Sequence, residues 1–249
     1  MGGPHLARFF QILPALALVV AIHSSSQSYS RNRRTSVNRG AWSSEAVSLF
    51  NTWGGFDSNP GRKLSFASPD KEKVIEVQGE TVSIVIKGKR YRTRFGQKTN
   101  AELGWSPDSQ YFFLTWTDSG DTGGWHVELY GVTETGIREI PGFENRVRVD
   151  FERRIRRLPI PADLATPEGR RIWQQDEYCD SNIVANQWLN GSKELLVSAL
   201  VPNVGICRYE SRFEVYRVTV PDGSILQRYS EREAHQKFNP ANLPIITNE

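Results

Sequence analysis

The chain has 249 residues, of which 38% are apolar, 24% charged and 11% aromatic. This is the composition of a globular protein, not of a disordered or collagen-like one. Lys and Arg number 31 against 28 Asp and Glu, yet Arg8, Arg31, Arg33, Arg34 and Arg39 meet no acid within residues 1–44, so residues 45–249 hold two more acids than bases. A near-neutral folded part speaks against nucleic acid as a partner.

Phe9 to Ile22 is a run of 14 residues broken only by Gln11 and Pro14, preceded by Arg8 and followed by His23-Ser24-Ser25-Ser26-Gln27-Ser28. Charged, apolar and small polar in that order reads as a secretory signal peptide over residues 1–28, cleaved between about Ala21 and Ser28. As a helix the run would rise about 21 Å, short of a hydrocarbon core of about 30 Å. The basic far flank Arg31-Asn32-Arg33-Arg34 leaves two other readings open, an uncleaved anchor over 9–22 or an organelle transit peptide. Residues 29–41 read as a disordered basic lead-in, and 42–249 as a single domain.

Ser43-Ser44-Glu45 opens a helical reading to about Asn51, stopped by Gly54-Gly55, and Asn59-Pro60-Gly61 marks a turn. From there the pattern alternates with period two. Lys73 to Val77, Thr81 to Ile86 and Arg90 to Phe95 are strands joined by the tight turns Gln78-Gly79-Glu80 and Lys87-Gly88-Lys89. Tyr111 to Thr117, Trp125 to Tyr130 and Gly136 to Ile140 repeat the arrangement. An irregular insert spans about 141–180. In it Val147, Val149 and Phe151 alternate with Arg146, Arg148, Asp150 and Glu152, the pattern of a strand with one wet face. Thr166-Pro167-Glu168 opens a short helix to about Gln175. Glu194 to Val201, Arg212 to Val220 and Ser224 to Tyr229 are again strands, the last two joined by Pro221-Asp222-Gly223. Ser230-Glu231-Arg232-Glu233 has capping-box spacing and starts a helix to about Phe238. The expected class is all-β, mainly an antiparallel meander with a few short helices.

The cysteines, Cys179 and Cys207, are an even pair. In an exported chain they are expected to close a disulfide, worth about 3–4 kcal/mol on the chain-entropy account; two buried thiols are the other reading.

One short phrase recurs: Phe66-Ala67-Ser68-Pro69-Asp70, then Gly104-Trp105-Ser106-Pro107-Asp108-Ser109-Gln110, then Gln187-Trp188-Leu189-Asn190-Gly191-Ser192-Lys193. Ala67 and Trp105 are 38 residues apart, Trp105 and Trp188 are 83, close to twice 41. A period near 40 with small sheets indicates a β-propeller. The phrase Trp105-Ser106-Pro107-Asp108 with Tyr111-Phe112-Phe113-Leu114-Thr115-Trp116 resembles the TolB-type, WD-like repeat of bacterial exported propellers. About 101–140 follows it clearly, about 185–229 more loosely and about 64–96 in outline. The third phrase has Leu-Asn-Gly for Ser-Pro-Asp, and the first has Ala67 for Trp. A small or partial propeller is expected, with a β-sandwich as the alternative. The resemblance implies protein or peptide partners in the cell envelope.

Catalytic signatures are scarce. There is no Gly-x-Ser-x-Gly elbow, no P-loop, no dinucleotide fingerprint and no His-Glu-x-x-His, and no cofactor is called for. Asp118 and Asp121 in a Gly-rich hairpin tip are a candidate Ca²⁺ pair, although Asp and Gly are also the ordinary residues of an exposed turn. The basic set Arg146, Arg148, Arg153, Arg154, Arg156, Arg157, Arg170 and Arg171 is a candidate anion-binding surface, set against neighbouring Glu144, Asp150, Glu152, Asp163 and Glu168. Trp105, Trp116, Trp125 and Trp188 are expected in the core; Trp42, Trp53 and Trp173 are candidates for a binding face. The expected function is an exported, non-catalytic binding module, secreted or periplasmic, that touches membrane only if residues 9–22 stay attached. The alternatives are a secreted hydrolase of glycan or peptide working through paired carboxylates, and a structural envelope protein.

Overall fold

The computed structural model describes residues 43, 46–48, 63–78, 81–93, 100–117, 124–175, 179–202, 207–209 and 211–238, all within the unit Ser36–Glu249. The signal segment, the lead-in, Trp42, Trp53, the turn at 59–61 and the candidate pair Asp118 and Asp121 lie outside the described residues.

In chain order the elements are β1 (Val47–Ser48), β2 (Lys63–Ala67), β3 (Lys73–Gln78), β4 (Thr81–Ile86), β5 (Lys89–Arg92), β6 (Asn100–Trp105), β7 (Tyr111–Thr117), β8 (Trp125–Thr133), β9 (Gly136–Glu139), α1 (Phe143–Ile155), a 3-10 turn (Ala162–Leu164), α2 (Pro167–Gln175), β10 (Asn182–Leu189), β11 (Glu194–Leu200), β12 (Phe213–Thr219), β13 (Ile225–Ser230) and α3 (Glu231–Lys237). The strands form three antiparallel sheets, ordered β2-β3-β4-β5, β1-β6-β7-β8-β9 and β10-β11-β12-β13. The protein is therefore all-β with a few short helices, and its sheets stack in chain order as propeller blades do.

The central sheet shows why the sequence stacks this way. Phe112 and Phe113 are adjacent on β7 and both fully buried, but strand alternation sends them to opposite boundaries. Phe112, with Leu114, Leu103 and Tyr130, packs on Ile75, Val77, Val82 and Ile84 of the first sheet. Phe113, with Val127 and Leu129, packs on Ile183, Ala185, Trp188 and Val197 of the third. A strand buried on both faces reads as a near-continuous apolar run, as Tyr111-Phe112-Phe113-Leu114 does.

The outward face of the first sheet is of another kind. Glu76 sits in its centre, paired with Lys63 and with Arg90, the latter at 2.5 Å. Seating another apolar sheet there would desolvate all three charges. On the third sheet, Leu196, Phe213, Val215 and Tyr229 are instead covered by Ala234 of α3 and by Phe238.

Two expectations are corrected. Residues 146–152 are not a strand but the middle of α1. Phe143, Val147, Phe151 and Ile155 are its buried residues, a four-residue spacing that keeps one helix face inward, while Val149, which a strand would bury beside them, is 41% exposed. The helical reading from Ser43 fails as well. Val47 and Ser48 pair with Leu103 and Glu102, adding a short strand to the edge of the central sheet. Ser43 uses its side chain on the Asn186 carbonyl and its N–H on the Glu102 carboxylate at 3.3 Å. Tertiary pairing overrides local helix propensity there.

The helix from Pro167 to Gln175 is present, with the Thr166 hydroxyl accepting from the Gly169 N–H at 3.1 Å. So is the capping box of Ser230 and Glu233 on α3.

Candidate functional site

The recurring phrase is a device for joining sheets. In its first copy the Ser68 hydroxyl donates to Asp70 Oδ1 at 2.5 Å, which also accepts the Glu72 N–H at 3.0 Å. In the second the Ser106 hydroxyl donates to Asp108 Oδ1 at 2.6 Å, which accepts the Gln110 N–H at 3.0 Å. Ser and Asp thus close the turn internally, leaving the Asp N–H pointing outward. That N–H is taken by the next sheet: Asp70 N–H donates to Ser109 Oγ and Asp108 N–H to Ser192 Oγ, both at 3.1 Å. The tryptophans run in parallel, Trp105 Nε1 donating to the Phe66 carbonyl and Trp188 Nε1 to the Gly104 carbonyl, both at 3.3 Å. Asn190 and Gly191 hold the third turn with positive φ of 49° and 62°, which suits Asn-Gly. Pro69 and Pro107 set their turns. Ser109 and Ser192, whose roles the sequence did not reveal, close both junctions.

The helical insert buries the apolar face of α1 in the core with the sheets, and its charges fasten it further. The Glu144 carboxylate accepts the Val127 N–H at 2.8 Å, faces His126 Nδ1 at 3.0 Å and pairs with Arg148; Arg148 also reaches the Ser181 carbonyl. Burial works to raise the Glu144 pKa, but the bonds with His126 and Arg148 outweigh it and hold the group below the ordinary carboxylate range. His126 stacks on Trp116 at 4.8 Å between centroids. Asp150 takes Arg228 through two bonds of 2.6 and 2.8 Å, and Arg154 takes Glu214 at 3.1 Å.

The eight arginines are therefore divided. Arg146 donates to the Asp222 carbonyl, Arg148 and Arg154 are fastened as above, and Arg170 donates to the Ala165 carbonyl at 3.1 Å. Arg171 is exposed on α2. Three come together on the outward ridge of α1: Arg153, Arg156 and Arg157 line, with Val149 and Glu152, a shallow cavity of about 430 Å³. Trp173 is corrected from a face-lining residue to a core one. It is 7% exposed, meets Tyr209 edge-on at 4.6 Å and lies under the Arg208 guanidinium. Cys179 and Cys207 form a disulfide that ties the end of the insert to the segment between β11 and β12.

A second cavity, of about 200 Å³, has Glu128, Glu139, Glu144 and Arg148 among its lining residues. Glu144 is committed to the insert, and Glu128 accepts the Tyr130 hydroxyl at 2.5 Å. Among the described residues no group of three or more His, Cys, Asp or Glu side chains is placed to hold a metal ion, and no helix is long and apolar enough to cross a membrane.

No family model matches the chain, and no curated protein does. A solved structure, described as "putative TolB" from Agrobacterium tumefaciens, is similar over 68% of this chain and 46% of its own, with 14% identity and a TM-score of 0.32. The chain spans less than half the length of that protein.

Proposed function

We propose that this protein is an exported, non-catalytic binding module whose partner is a protein or peptide of the cell envelope. The observation that carries the reading is the Cys179–Cys207 disulfide, a bond that persists in oxidising compartments, in a chain whose residues 1–28 read as a secretory signal. The three clasped sheets supply a rigid frame of the kind that presents a surface. The repeat phrase resembles that of exported propellers, which meet proteins and peptides. The charged groups of the insert support binding over chemistry, because Glu144, Arg148, Asp150 and Arg154 are each used to hold the insert on the frame.

The test is the intact mass of the protein recovered from its native host, with and without thiol alkylation. Cleavage between about Ala21 and Ser28, with both cysteines protected from alkylation, is the expected result. An uncleaved chain with two free thiols would reject export.

A further inference from the structure

We infer that the outward ridge of α1 is a docking groove for an acidic peptide segment with apolar residues between its carboxylates. This deepens the binding-module reading and rests on it. Three guanidiniums, from Arg153, Arg156 and Arg157, and one carboxylate, from Glu152, surround Val149 in the cavity of about 430 Å³. The carboxylate is already engaged, its Oε1 accepting the Ser181 hydroxyl at 2.9 Å and its Oε2 lying 3.8 Å from Arg156. Arg153 and Arg157 are exposed and make no ion pair among the described residues. The groove therefore keeps a surplus of positive charge beside the acids that neutralise the rest of the insert.

Apolar surface accompanies that charge. Val149, which lines the cavity, is 41% exposed, and Leu158 and Ile160, which follow α1 in the chain, are 40% and 37% exposed. They are the large hydrophobics left exposed around the insert, the remaining one among the described residues being Leu226 on β13. A purely anionic ligand would leave the exposed Val149 of the groove in water. A peptide alternating carboxylate and apolar side chains matches both features at once.

The side chains of the ridge favour a peptide over a lipid surface. Residues 141–180 hold no Lys, and each guanidinium fork takes one carboxylate or phosphate group through two parallel bonds. No exposed Trp or Phe stands on the ridge to enter a headgroup layer.

The experiment uses the full chain in its oxidised form and a fluorescein-labelled peptide alternating Glu and Leu, followed by anisotropy. Saturable binding that weakens with salt is expected, and Arg153→Gln with Arg157→Gln should weaken it by about tenfold or more. Both positions are exposed, and an unchanged melting temperature confirms that the variant is folded. Equal affinity for a Lys-Leu peptide, unchanged affinity in the variant, or attachment to phosphatidylglycerol vesicles in place of the peptide would overturn the proposal. Photo-crosslinkers at positions 153 and 89 in the native host separate the two readings. A crosslink at 153 to an acidic, apolar-interrupted segment supports both. A partner captured at 89 but not at 153 keeps the binding module and removes the groove; no partner at either removes both.

Discussion

The hydroxyl of Ser109 accepts the backbone N–H of Asp70 across the first sheet boundary at 3.1 Å, and both ends of that bond come from the same repeated phrase. Ser109 is fully buried at a positive φ of 59°. The left-handed conformation belongs to the turn, since Lys71 at the same place in the first copy has φ 63°, and at Ser109 it aims the hydroxyl at the neighbouring turn. Ser192 repeats this toward Asp108, with φ 79°. Ala at either position keeps the left-handed backbone and removes only the acceptor. Ser109→Ala and Ser192→Ala should each cost about 1–2 kcal/mol in chemical denaturation. As the two lie at different junctions, the double variant should lose close to the sum. A loss near zero in both would show that the clasps do not hold the sheets together.

Gly104 stands at the second junction, where its carbonyl accepts Trp188 Nε1. A Cβ there would overlap the Phe113 ring, which is fully buried against Trp188 with centroids 5.9 Å apart. Gly104→Ala is therefore expected to destabilise by about 1–3 kcal/mol through overpacking. Adding Phe113→Leu should recover part of that loss, so the pair should be clearly non-additive in thermal melts.

The phrase Trp-Ser-Pro-Asp and the run after it marked the stacked sheets, because a strand buried on both faces and a Ser-Pro-Asp turn have strong local signatures. The spacing of 83 residues between Trp105 and Trp188 spans a helical insert, since the third sheet packs directly on the second. Residues 146–152 of that insert carry a strand pattern because Val147, Val149 and Phe151 satisfy a period of two. Phe143, Val147, Phe151 and Ile155, with the Glu144–Arg148 and Glu152–Arg156 pairs, satisfy a helical spacing over a longer window. The arginines were visible as a set, but which were bound to acids was not, because Glu214 and Arg228 lie far along the chain and only the fold brings them to Arg154 and Asp150. Trp173 lay outside the repeats and carried no local sign of being core.

Glu144 makes the seat of the insert sensitive to acid. Burial raises its pKa, but the His126 and Arg148 bonds more than compensate, leaving it below the ordinary 4.5. A carboxyl whose native pKa is depressed contributes stability fully present above its unfolded pKa and lost as pH falls through the native one. Denaturation midpoints should therefore hold at neutral pH and drop as pH falls below about 4.5. Glu144→Gln, which leaves Arg148 unpaired, should cost about 3 kcal/mol at neutral pH and flatten that acid limb. An identical acid limb in the variant would assign the acid sensitivity to other carboxyls.

Asp70 is the second such group, and its pKa is lowered to about 2. Burial again opposes the shift, outweighed by bonds from Lys73, Ser68 and the Glu72 N–H. Its contribution is fully present above the ordinary 3.8 and is lost as pH falls through about 2. Carboxyl carbon shifts followed by NMR should show Asp70 titrating near 2, and Lys73→Met should move that midpoint upward. A midpoint at the ordinary value in the native protein would mean that the Ser-Pro-Asp turn is not closed in solution as described.

The disulfide supplies the last prediction. Cys179 and Cys207 are separated by 28 residues, and the chain they enclose includes β10, β11 and the hairpin bearing Ser192. Closing a loop of that length removes denatured-state entropy equivalent to about 3–4 kcal/mol. Reduction, or the pair Cys179→Ala and Cys207→Ala, should lower stability by about that amount. The first structural response should come from Trp173, because its edge-on partner Tyr209 follows Cys207 by two positions and also donates from its hydroxyl to the Leu158 carbonyl at 2.7 Å. Loosening that segment frees both the Tyr209 ring and the end of the insert. Tryptophan fluorescence should therefore change on reduction before the strands lose their circular dichroism. Simultaneous loss of both signals would instead make the bridge part of the global core, with the insert and the third sheet unfolding as one unit.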